Sequence, residues 1–124
     1  MTALKVQLDP VEKTAAVQRI DGALISDAQG RTLALREVDF LDESRLVRVL
    51  GSDTSLNAIY MNGYVMPAVM VARIDGDECL LPQTALEVEA AIKRLGREGT
   101  TAVLEFIQEQ AGLRRDEVAA LKNS

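Results

Sequence analysis

The spacing of apolar residues changes once along this chain of 124 residues, near position 39. Before that point apolar and polar side chains alternate with a period of two, as in a half-buried strand. After it they follow the spacing of a helix with one buried face. No single kind of element satisfies both periods. The pattern therefore predicts an α+β fold in a single domain, residues 1–124, mainly β over residues 1–38 and mainly helical over residues 39–124. We expect an N-terminal β-hairpin or small antiparallel sheet packed on a bundle of four to five helices.

The β part carries two kinds of signal. Leu4, Val6 and Leu8 alternate with Lys5 and Gln7, and Asp9-Pro10 stops that segment. Residues 16–26 form a second candidate strand. Asp27-Ala28-Gln29-Gly30 then reads as a turn, with Gly30 supplying a positive φ. Residues 31–38 follow, with Leu33 and Leu35 on one face, and complete a hairpin expected over residues 20–38.

In the helical part, Asp39 is placed to cap a first helix with Phe40, Val47 and Leu50 as its apolar positions, Leu46 and Val49 beside them, and Gly51 as its stop. Ser52 or Asp53 caps a second, carrying Leu56, Ile59, Tyr60 and Gly63. Pro67 should kink or end it near Met66, because proline lacks the N–H and its ring clashes with the preceding turn. Residues 63–72 are apolar almost all round and are expected at the buried centre. Residues 74–77 read as a turn, and 78–81 as a short extended piece. Thr84 and Glu87 have capping-box spacing before a helix that carries Val88, Ile92 and Leu95 and ends at Gly96. A fourth helix over residues 100–111 turns Val103, Phe106 and Ile107 inward, and a short last helix covers residues 115–121. With aromatic residues at 3%, the core must come from Leu, Val, Ile, Met and Ala.

The chain contains no histidine. That removes Ser-His-Asp and Cys-His catalysis and the usual zinc sites. Cys79 stands beside Glu78, which disfavours a thiolate, and reads as a small buried hydrophobe. No glycine-rich phosphate loop is present. Asp75, Asp77 and Glu78 lack the remaining ligands of a calcium loop and read as a polar turn. Asp39, Asp42 and Glu43 sit where a helix start favours anions. We assign no catalytic residue, no metal and no cofactor, and expect no enzyme.

A net charge of −5 disfavours nucleic acid, and Arg45 with Arg48 is the nearest thing to a basic patch. The most apolar stretch, residues 60–72, is too short to span a bilayer and is interrupted by Asn62 and Pro67. The first residues show no basic run followed by an apolar core, and a lone cysteine suits a reducing compartment. These features point to the cytoplasm and to a protein partner. Tyr60, Met61, Tyr64, Met66 and Met70 gather in one segment. Methionine suits adaptable surfaces, and tyrosine offers an apolar body with a polar tip. Core packing also accounts for the cluster, and a residue can serve both roles.

The stretch Gly30-Arg31-Thr32-Leu33-Ala34-Leu35-Arg36-Glu37, followed by an acid-capped helix from Asp39, resembles the opening of the tail assembly chaperones of bacteriophages and prophages. Residues 68–76, ending Arg73-Ile74-Asp75-Gly76, are similar to a second block of such proteins. The helix at residues 84–95 with Gly96, then Gly99 and another helix, continue the likeness, which covers residues 20–110. The resemblance implies a protein that works in the bacterial host cytoplasm during virion assembly. It binds and solubilises the tape measure protein, a very long helical chain, and helps recruit the tail tube protein, with self-association possible. It also implies a longer product made by frameshifting, for which codons at Lys122-Asn123 can supply a slippery run. The alternative is a small prophage-encoded adaptor or inhibitor that binds one folded host protein.

Overall fold

The computed structural model describes residues 17–122 and has an α+β fold. The strand expected at Leu4, Val6 and Leu8 lies outside the described residues, as does Asn123. Four antiparallel strands form one sheet in the order β1-β2-β3-β4: Leu24–Ser26, Thr32–Leu35, Val71–Ile74 and Asp77–Glu78. Five helical elements accompany it. They are α1 (Phe40–Leu50), α2 (Ser52–Ser55), α3 (residues 58–69), α4 (residues 85–95) and α5 (residues 97–122).

The hairpin forms where the alternation placed it. Ile25 pairs with Leu33, and Ser26 with Thr32. Leu33 and Leu35 are buried on the inner face. Gly30 has a φ of 81°, the left-handed value that the turn requires. Asp27 organises this turn: its carboxylate accepts the backbone N–H groups of Gln29 at 3.0 Å and Arg31 at 2.9 Å, and Nε of Arg31 at 2.8 Å. Burial works to raise the Asp27 pKa, but hydrogen bonds from Arg31 and Gln29 and the Arg31 charge outweigh it and hold the carboxyl below its ordinary value.

Half of the sheet comes from the part read as mainly helical. Leu33 pairs with Ile74, and Leu35 with Val71, across a bulge at Ala34/Leu35. The helix before β3 did not stop at Met66. It continues through Pro67 to Val69. Residues 61–65 form a π-helical turn, in which the Met66 N–H reaches back to the Met61 carbonyl. That wider turn relieves the clash between a proline ring and the carbonyl four residues before it. Met70 closes the helix by donating to Met66 O at 3.0 Å, and β3 begins at the next residue.

Other helix boundaries also moved. The second helix is split, because Leu56 ends α2 and the Asn57 side chain caps α3 by accepting the Tyr60 N–H at 3.1 Å. Gly96 does break the chain's longest helix, with φ 73°, but α5 begins directly after it. Gly112 does not stop α5, and the expected short last helix is its continuation. A mid-helix glycine costs only about 1 kcal/mol, which is not a stop by itself. Thr84 caps α4 as its spacing suggested, accepting the Glu87 N–H at 3.1 Å. Glu87 reaches back to the N–H of Gln83, one residue earlier than the capping box expects.

Two arginines tie the sheet to the helices. Arg31 donates to the carbonyls of Arg94 and Leu95, the last residues of α4. Arg36 donates to the carbonyls of Val69, Val71 and Cys79 at 2.8, 3.0 and 2.8 Å. Burial pulls the Arg36 pKa below the ordinary arginine value, yet a guanidinium remains charged at neutral pH. Arg31 thereby satisfies carbonyls that the end of α4 leaves open, and Arg36 joins the end of α3 to β3 and to the residue after β4.

The core has two parts. One lies under the sheet and joins Leu33, Leu35 and Val71 to Leu95, Val103 and Phe106. The other joins Leu46, Met61, Val65, Val69 and Val88 from α1, α3 and α4. Val38 and Ile92 pack against both.

Candidate interaction surface

The Tyr/Met segment divides between core and surface. Met61 and Met70 are buried, Tyr60 and Met66 are half-buried, and Tyr64 is 51% exposed. The π-helical turn brings Tyr60 and Tyr64 onto one side of α3, where their rings stack with centroids 6.0 Å apart. The pair stands between two openings. Tyr64 lines a cleft of about 470 Å³ with Gly63, Ile92, Gly96, Arg97 and Thr100. Tyr60 lines a groove of about 510 Å³ with Leu50, Asp53, Asn57, Ala85 and Glu89. Of the five residues singled out by sequence, then, the stacked tyrosines and part of Met66 reach the surface, and Met61 and Met70 hold the core.

The three most exposed large apolar side chains are ones that periodicity placed inside. Phe40 is 86% exposed, Leu56 82% and Ile59 78%. Leu41 is exposed beside Phe40. The only buried residue of α1 is Leu46. The physical reason is that α1 carries two apolar stripes. Phe40 and Val47, one heptad apart, share one, while Leu46 and Leu50 share the other. The helix can turn only one of them inward, and the docking of Leu46 against Met61, Val65 and Val69 decides which. A second apolar stripe on one short helix was the available signal.

Asp39 accepts the Asp42 N–H at 2.8 Å and caps α1, and Asp42 forms a long ion pair with Arg45 at 3.8 Å. The Asp75 carboxylate is used within the fold, accepting the Thr32 N–H at 2.8 Å, and Cys79 is buried. Among the described residues no group of three His, Cys, Asp or Glu side chains is placed to hold a metal ion, and no helix is long and apolar enough to cross a membrane. Comparisons with family models, with curated proteins and with solved structures gave no match to this chain.

Proposed function

We propose that this chain acts by binding another protein, and that it is a tail assembly chaperone that covers the tape measure protein in the bacterial cytoplasm. The observation that supports binding is the run of exposed large apolar side chains over residues 40–64, led by Phe40, Leu56 and Ile59. Large apolar side chains left in water are what a partner surface would cover. The stacked Tyr60–Tyr64 pair adds rigid amphipathic area beside them. The identity of the client rests on the resemblance of residues 20–110, and the acidic surface suits an accessory protein that must stay soluble while coating an aggregation-prone chain.

Co-expression tests the reading. The chain is produced with and without the long helical protein encoded nearest downstream, and solubility and stoichiometry are measured. The client is expected to be soluble only in company, with many copies of this chain bound. A client that is soluble alone and elutes alone overturns the chaperone role. A fixed one-to-one complex with a folded host protein would instead establish the adaptor or inhibitor reading.

A further inference from the structure

Ala85, Glu89, Ile92 and Gly96 of α4 are spaced four, three and four residues apart, so they share one stripe along the helix. The first two line the groove at Tyr60, and the last two line the cleft at Tyr64. The stacked rings of Tyr60 and Tyr64 on α3 form the opposite wall. The two openings therefore follow one another along a single trough between α3 and α4. From Ala85 to Gly96 the trough runs roughly 16 Å at 1.5 Å per residue, about three helical turns.

Charge divides this trough. Asp53 and Glu89 line the half at Tyr60, with no lysine or arginine beside them. Arg97 lines the half at Tyr64, with no Asp or Glu beside it. Among the described residues none of these three groups enters a salt bridge. The nearest opposite charges along the helices lie outside both openings. Lys93, one turn beyond Glu89, lines neither. Glu98 turns to the hairpin and accepts Nε2 of Gln29 at 3.0 Å.

We infer that the trough takes one amphipathic helix of the partner protein and reads its direction. The occupant has an apolar stripe about three turns long, with Lys or Arg toward one end and Asp or Glu toward the other. The four-three-four spacing on α4 is that of a helix–helix seam. Ala85 and Gly96 leave room for large side chains, and Ile92 and the tyrosine rings supply apolar contact. The basic end lies at Asp53 and Glu89, where the Tyr60 ring also attracts a cation. The acidic end meets Arg97. A trough without this division would accept such a helix either way round, so the charges act against the reversed pose. The inference rests on the reading that this chain binds a helical protein, and it adds which segment is held and in which direction.

A synthetic peptide tests this without the client. It has about 18 residues, long enough to hold a helix, with a leucine stripe, glutamates in its first half and lysines in its second. A nitroxide on its last residue should broaden the amide signals of Thr54 and Ala85 and spare those of Thr100 and Thr101. Asp53→Lys with Glu89→Lys should weaken binding by at least about tenfold. Asp116→Lys with Glu117→Lys changes net charge equally but sits at the far end of α5, and should leave affinity unchanged. Adding Arg97→Glu to the groove pair should restore binding and move the broadening to Thr100 and Thr101. All five substituted positions are exposed, and circular dichroism checks that helicity is kept. A peptide that does not bind, that broadens both ends alike, or that responds equally to the two lysine pairs would overturn the inference. Client solubility on co-expression is a separate readout. A client kept soluble by a chain that rejects the peptide leaves the chaperone role standing and removes only the trough.

Discussion

The β1–β2 hairpin and the α1–α3 stretch use polarity in opposite ways. In the hairpin, charged side chains turn inward and are consumed by the fold. Asp27 is 8% exposed and holds the turn, while Arg31 and Arg36 satisfy carbonyls on α3, β3 and α4. In α1–α3, Leu46, Met61, Val65 and Val69 turn inward, but Phe40, Leu56 and Ile59 turn outward and enter no core. The lesson is that residue type alone does not separate scaffold from surface here. Its partner does: a charge with a backbone N–H or carbonyl to satisfy is structural, and an apolar side chain without a core to enter is available for binding.

Substitutions can break this contrast, starting with the largest effect. Val69→Asp should prevent folding, because Val69 has no exposed surface and the new carboxylate would be buried without a partner. Ile92→Asp should act in the same direction but less completely, because Ile92 packs on both cores yet is only half-buried and lines the Tyr64 cleft. Soluble expression and a thermal melt decide both. Arg36→Ala comes next. It strands the carbonyls of Val69, Val71 and Cys79, at a cost of about 3 kcal/mol in a urea titration. A loss below the level of one hydrogen bond would show that water replaces the guanidinium.

Asp27→Asn should cost about 2 kcal/mol at neutral pH, since an amide keeps one acceptor but loses the charge opposite Arg31. It also has a pH signature. The folded pKa of Asp27 is depressed, so its stabilisation is complete above the unfolded carboxylate value, near pH 4. That stabilisation disappears as pH falls through the lower folded value. Wild type should therefore lose stability on acidification more steeply than Asp27→Asn, and parallel pH profiles would remove Asp27 from that role. Smallest for stability, and largest for binding, are Phe40→Ser and Ile59→Ser. Each should change unfolding free energy by no more than about 0.5 kcal/mol, while client capture falls. Tyr64→Ala should likewise leave the fold intact and weaken capture. A cooperative loss of stability in any of these three would move that residue from surface to scaffold.

Much of the architecture was legible in local signals. The hairpin, its Gly30 turn, the Asp39 and Thr84 caps and the break at Gly96 all follow from chemistry that acts over a few residues. β3 was not legible, because residues 63–72 are apolar all round. A buried strand and a buried helix then look alike in periodicity. The candidate surface was half legible. The tyrosine pair was found, but Phe40, Leu56 and Ile59 were assigned to the interior, since their apolar character satisfies a helix pattern equally well from either side.

The sequence by itself determined where most helices and turns start, and that the core had to be aliphatic, because caps, glycines and side-chain volume act without reference to distant residues. Tertiary structure decided three things. It chose Leu46 over Phe40 as the buried edge of α1. It let α3 run through Pro67 by widening a turn. It drew Arg31 and Arg36 into the helix ends. The widened turn is closed locally between Met66 and Met61, but in the other two cases the choice depends on atoms far along the chain, the carbonyls and the apolar pocket that a side chain meets only after the elements have packed.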